Sequence, residues 1–315
     1  MLKHSADTAA LVAYFRAMKT RLLVHASLLL TALFYGASYT VAKEVMPRLI
    51  SPNAFILFRV VIACVFFWLM PILMRSTREK VPVRDLWYLA LCAFFGVAGN
   101  MLLFFKGLSV SSPINASVIM ITTPIFILAF AAFYLKEKIG WKKLSGIALG
   151  TTGALLLIFS AEQVFARGGT YNSSLGNLLV MLNAMLFAVY LVLIKPMMAK
   201  YNTFTVVKWL FLFGSLMVLP FGATEISTIR WELFDTQAWA AFWFIIVGIS
   251  IAAYWLNAWS LKHTKASVVG TYIYLQPLLA TLIALWWGRD KLLPEQVFYG
   301  ILIFAGVYLV SGAKK

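Results

Sequence analysis

Residues 112–138 recur without a gap as residues 265–291, and this duplication constrains the chain more than any other feature. At an offset of 153 the overlay matches Pro124 with Pro277, Glu137 with Asp290, and Lys136 and Lys138 with Arg289 and Lys291. Each copy is an apolar run broken by proline and closed by a cation–anion–cation triplet. Both runs exceed twenty residues without an internal charge, long enough to cross a hydrocarbon core of about 30 Å as a helix. Proline inside such a helix cannot donate to the carbonyl four residues back, which is Met120 in the first copy and Ile273 in the second. A kink is therefore expected at Pro124 and at Pro277. Hydrocarbon offers the freed carbonyls no partner, so these breaks belong beside protein or a water-filled cavity. Two broken helices, one per half, point to a central cavity.

Composition agrees with a membrane protein. Apolar residues make up 62% of the chain and charged ones 12%, against about 25% charged in soluble domains. The net charge of +16 does not indicate nucleic acid, because the Lys and Arg residues sit mostly in short segments between apolar runs and form no basic stripe among exposed aromatics. Cys64 and Cys92 lie inside apolar runs, which argues against a disulfide framework. His4, His25 and His263 show no ligand spacing, so neither a metal nor another cofactor is expected.

The apolar runs predict ten spans, near 22–42, 52–74, 86–106, 113–135, 142–160, 174–195, 204–223, 237–260, 267–287 and 295–312. The first is too long for the apolar core of a cleaved leader and is read as helix 1. Residues 1–21 are a basic arm, expected as a short surface helix. If both termini lie on one side, that side collects eighteen Lys and Arg and the other seven. The positive-inside rule then places both termini in the cytoplasm. Five spans per copy is an odd number, so the second copy enters the membrane inverted. The fold class is an all-α polytopic membrane protein of ten transmembrane helices in two inverted five-helix repeats, residues 22–160 and 174–312. Residues 161–173 form an extracytoplasmic linker between them and residues 313–315 a cytoplasmic tail. Inverted repeats recur in secondary transporters that work by alternating access.

Polar side chains within the spans mark the candidate cavity. Thr31, Tyr35 and Ser38 share one helical face, and 152 residues on stand Asn183, Phe187 and Tyr190. Asn100, Asn115, Thr122, Tyr254, Asn257, Tyr272 and Gln276 complete the set. Amides, hydroxyls and aromatics suit an organic solute with polar groups and a flat or apolar body; the competing assignment for each is packing between helices. Arg59 and Lys208 lie within about the first two turns of their spans. Each either snorkels to an interface or serves the cavity, where a substrate carboxylate is the natural partner for Arg59. Lys43 and Lys195, again 152 apart, are candidate gates or cations at helix C-terminal carbonyls.

Tyr35-Gly36-Ala37-Ser38, then Ser117-Val118 through Pro124 to Lys136-Glu137-Lys138, with the same pattern at Pro277 to Lys291, resembles the EamA family of the drug/metabolite transporter superfamily. The resemblance covers about residues 22–312 and implies an inner-membrane carrier of ten helices, often an exporter of amino acids or related metabolites. Asp290 stands where the family usually has Glu, and Tyr35 where Trp is frequent. The expected partners are a small-molecule substrate and the lipid bilayer, with no nucleic acid; oligomeric state is not readable. A channel or receptor is the alternative. An intramembrane enzyme would need a carboxylate pair, nucleophile or metal set at membrane depth, which the spans lack. With no Asp, Glu or His there to carry a proton, the chain reads as a uniporter or exchanger.

Overall fold

The computed structural model describes residues 2–73, 79–135, 140–159, 174–264, 266–289 and 291–311, and among these residues every regular element is helical. Helix α1 is Leu2–Val45. It takes the basic arm and the first apolar run together, because no glycine or proline separates them before Gly36; the arm is not a separate helix. Then come α2 (Pro52–Leu73), α3 (Val83–Val110), α4 (Pro113–Met120 and Thr123–Leu135) and α5 (Trp141–Phe159). The second half holds α6 (Ser174–Lys200), α7 (Thr203–Gly222), α8 (Thr236–His263), α9 (Ala266–Ile273 and Leu275–Trp286) and α10 (Pro294–Ser311).

Local chemistry sets several of these starts. Ser112 accepts from the Asn115 amide at 3.0 Å with Pro113 at the first helical position, so α4 begins with a side-chain cap and a residue that has no N–H to lose. Asn202 and Asp235 cap α7 and α8 by accepting from the Phe204 and Ala238 amides at 3.0 and 2.7 Å.

Eight of the described helical stretches are long and apolar enough to cross a membrane. Helices α5 and α10 have 19 and 18 described residues. The protein is a multi-pass, all-helical membrane protein.

Packing follows a pairing rule. α1 lies against α9 and α8, and α6 lies against α4 and α3; α2 packs on α7, and α5 on α10. Advancing each label by five helices maps this set of contacts onto itself. Lipid supplies no hydrophobic drive between helices, so close fit and hydrogen bonds hold them. On the α2–α7 seam Phe67 stacks on Phe211, ring centroids 5.4 Å apart. On the α5–α10 seam the backbones nearly touch: a Cβ on Gly306 would sit 2.6 Å from the Gly146 carbonyl oxygen and 2.7 Å from Gly150 Cα. Only glycine fits there. The remaining helices, with α2, enclose the centre.

Candidate functional site

A cavity of about 70 Å³ lies in that centre, room for a few waters at about 10–15 Å³ each. From α1 it receives Tyr35, Ser38 and Tyr39, from α2 Arg59, and from α3 Asn100, Met101, Phe104 and Phe105. Asn183 and Phe187 of α6, Tyr254 of α8 and Gln276 of α9 face it from the second half. Met120 and Ile273, the residues whose carbonyls the two prolines cannot serve, also line it.

Arg59 is the charge in this site. It is 1% exposed, so it does not snorkel to an interface. Its Nε donates to Ser250 Oγ at 2.9 Å, and its guanidinium carbon stands 4.2 Å from the centre of the Phe105 ring. Nη1 is buried without a hydrogen-bond partner among the described residues. A guanidinium offers five N–H donors, and a buried donor left unpaired costs about 1–3 kcal/mol, more on a charged group. The open side of the cavity has room for an acceptor at this donor.

Across the cavity α3 and α6 are tied by a reciprocal pair: Asn183 Nδ2 donates to the Asn100 carbonyl at 2.8 Å, and Asn100 Nδ2 to the Asn183 carbonyl at 3.5 Å. Asn183 Oδ1 is left buried and unpaired among the described residues. The cavity thus presents an unmet donor on a cation and an unmet neutral acceptor. Tyr39 Oη donates to Gln276 Oε1 at 3.2 Å, closing the α1–α9 side. Ser38 spends its hydroxyl proton on the Tyr35 carbonyl at 2.7 Å.

Four helices break regular geometry around this centre, in two pairs. In α4 the helix stops at Met120 and resumes at Thr123; in α9 it stops at Ile273 and resumes at Leu275. The break in α4 precedes Pro124 and is chemically closed, since Thr123 Oγ1 donates to the Met120 carbonyl and Thr122 Oγ1 to the Ile119 carbonyl, both at 2.7 Å. The second pair has no proline to announce it. α3 is π-helical over Phe94–Ala98 and α8 over Phe244–Ala253, starting 150 residues apart. π turns are rare and concentrate at functional sites. Here they free a carbonyl, and Tyr254 Oη donates to the one on Gly96.

Other sequence candidates stand elsewhere. Thr31 is turned into its own helix, donating to the Ser27 carbonyl at 2.8 Å. Asn115 Oδ1 accepts from Gln296 Nε2 at 2.7 Å and joins α4 to α10. Thr122 is occupied at the break. Tyr190 stacks on Phe187 at 5.8 Å and packs against Gly96, where a Cβ would overlap its ring. Tyr272 Oη bonds His25 Nδ1 at 2.7 Å. Asn257 is half-buried on α8, outside the cavity wall. Pro124 and Pro277 sit just past the breaks and do not line the cavity. Glu137 and Asp290 lie outside the described residues.

Lys43 Nζ donates to the Ser109 carbonyl at 3.1 Å, near the end of α3. Lys195 Nζ donates to the Leu261 and Thr264 carbonyls, at the end of α8. Lys43 to Ser109 and Lys195 to Leu261 both span 66 residues, so the repeat-related lysines make the same bond in the two halves.

Tyr39, Met101, Phe104, Phe105 and Ile249 line the cavity without having stood out in the sequence. Tyr39 was the most legible of them, being next to Ser38. The α3 aromatics carry no polar signal, and the π turn before them shifts the face they present.

Comparison with known proteins agrees with this geometry. The profile of the EamA-like transporter family matches residues 22–159 and again 174–312. An uncharacterized transporter of Archaeoglobus fulgidus is 25% identical over 92% of this chain and 98% of its own length. The uncharacterized transporter YetK of Bacillus subtilis is 23% identical over 95% and 89%. A probable terminal-alkyne amino-acid exporter of Streptantibioticus cattleyicolor is 25% identical over 74% and 75%. A protein of known crystal structure superposes with a TM-score of 0.61 at 19% identity, over 90% of this chain and 98% of its own, a likeness of fold. With the profile matched over both halves, the chain belongs to the EamA-like transporter family.

Proposed function

We propose that this protein is a secondary transporter that moves a small organic metabolite bearing a carboxylate, an amino acid or a related compound, out of the cell by alternating access. The observation that carries the reading is Arg59, a buried cation on the cavity wall whose Nη1 has no partner among the described residues. A substrate carboxylate supplies that partner. Asn183 Oδ1 offers an acceptor for an amine, and the Phe104, Phe105 and Phe187 rings hold an apolar body. The amino-acid exporter among the relatives is consistent with this class and direction.

Ten membrane crossings in two inverted five-helix repeats, residues 22–160 and 174–312, form the architecture of this proposal. The five-helix symmetry of the contacts, the paired breaks, the paired π turns and the paired lysine bonds support it. The excess of Lys and Arg on one side supports cytoplasmic termini in the inner membrane, with residues 161–173 as the extracytoplasmic linker.

The test is thermal unfolding of the detergent-purified protein against carboxylate metabolites and their amide counterparts. A ligand that binds only the folded state raises Tm by mass action. At least one carboxylate should do so where its amide does not. Arg59→Gln should weaken that binding roughly 10- to 100-fold, the loss of a charge-assisted bond, and Arg59→Lys by less. Equal shifts from acids and amides, or binding indifferent to Arg59→Gln, would remove Arg59 from recognition. Turnover that saturates with substrate in proteoliposomes, without single-channel currents, separates carrier from channel.

A further inference from the structure

A second, larger hollow of about 520 Å³ lies away from the centre, where α8 and α9 part over α1. Its floor is made of small side chains, Ala37 and Val41 of α1 with Ala240 of α8. At the positions 152 residues beyond Ala37, Val41 and Glu44 the other half carries Val189, Leu193 and Pro196, so the lining chemistry is not duplicated.

Its surroundings say what it meets. Leu278 and Leu282 on α9 are 58% and 65% exposed, and Val247 on α8 is 50% exposed, so this flank faces acyl chains. Glu44 is the last residue but one of α1, which puts the mouth of the groove at a membrane–water boundary. Trp286, 89% exposed, stands at that mouth, the place where tryptophan anchors at headgroup level.

A charge pair closes the mouth. Arg289 Nη2 lies 2.6 Å from Glu44 Oε2, and Gln237 Nε2 donates to the same oxygen at 3.2 Å. Glu44 Oε1 is buried and has no partner among the described residues. The two side chains differ in access, Glu44 being 11% exposed and Arg289 46%. An apolar trough thus ends in an unmet carboxylate oxygen, with a half-exposed guanidinium beside it that keeps N–H donors to spare. The complement is a molecule with one long apolar chain, an N–H-bearing cation and an anion next to it.

We propose that the groove binds phosphatidylethanolamine, with an acyl chain along Ala37, Val41 and Ala240, the primary ammonium on Glu44 Oε1 and the phosphate on Arg289. Phosphatidylcholine has the same two charges but no N–H to give Glu44. Phosphatidylglycerol has the phosphate and no cation, and meets Glu44 unfavourably.

The experiment is native mass spectrometry of the delipidated full-length protein titrated with the three lipids, all with the same acyl chains. Phosphatidylethanolamine should bind about tenfold more tightly than either of the others, as befits a charge-assisted hydrogen bond. Glu44→Gln should bring it to the level of phosphatidylcholine, lowering phosphatidylethanolamine binding by more than it lowers phosphatidylcholine binding. Ala240 is exposed in the groove, so Ala240→Trp fills the trough without entering the core and should lower phosphatidylethanolamine binding by a similar factor; it stands as the second variant should Glu44→Gln fail to fold. Equal binding of all three lipids by the wild type, or a preference that survives Glu44→Gln or Ala240→Trp, overturns the proposal and reduces the groove to ordinary annular contact.

Discussion

At the scale of single residues, Lys43 and Lys195 carry the symmetry in its most compact form. Each ammonium holds carbonyls near the end of the neighbouring helix, Lys43 at the C-terminal end of α1 and Lys195 at the far end of α6. A hydrogen bond from a charged group is worth about 1.5–3 kcal/mol, less at these half-buried sites, so removal should shift an opening equilibrium by about 1 kcal/mol, roughly fivefold. Lys43→Met and Lys195→Met should shift it in opposite senses. The readout is the rate at which a cavity cysteine, Ser38→Cys, reacts with an impermeant thiol reagent from each side of the membrane. Two variants that change access to the same side would assign both lysines to capping alone. These bonds also mark what the sequence made legible. The offset of 152 picked out the pair, and helical spacing put Tyr35 and Ser38 on one face, yet Thr31 on that same face bonds its own helix. The depth of Arg59 could be read from its position. Its direction could not, because the groups that hold it inward, Ser250 and the Phe105 ring, come from distant stretches of chain.

At the scale of elements, the helix breaks in α4 and α9 had a sequence signal and the π turns in α3 and α8 had none. Proline removes a donor, which any reader of the chain can see. A π turn instead results from tertiary packing, here Tyr190 against Gly96 and Tyr254 on the Gly96 carbonyl, and it redirects every side chain after it. That is why Asn100 on α3 was visible as polar but its aromatic neighbours Phe104 and Phe105 were not recognised as wall. The α5–α10 pair was likewise hidden, since glycines scattered in an apolar run announce no partner until the approach is seen. Gly306→Leu would drive a side chain into the backbone of Gly146 and Gly150. It should separate the two helices and lower Tm by several degrees, or cut the folded yield, while Gly140→Leu, where nothing lies within 4 Å, should do neither. An unchanged Tm for Gly306→Leu would mean that α5 and α10 slide freely past each other.

At the scale of the whole molecule, the described carboxylates sit at helix ends and their flanks: Glu44 pairs with Arg289 at one, Asp85 with Lys200 at another. Among the described residues no group of His, Cys, Asp and Glu could hold a metal ion. We propose, as an extension of that function, that the protein works as a uniporter or exchanger. In proteoliposomes with equal substrate on both sides, an imposed pH or sodium gradient should produce no sustained accumulation. Uphill uptake abolished by the matching ionophore would establish ion coupling instead. Among the described residues no carboxylate lines the cavity beside Arg59, and this has an electrical consequence. In the uniport mode of that proposal, an acid that fills the gap brings its own charge across with no co-travelling ion to offset it. A zwitterion would cross indifferent to the membrane voltage. A monoanion would be driven toward the positive side by about 2.3 kcal/mol for each 100 mV, so under the proposed uniport a cell with a negative interior would expel it without spending any other gradient.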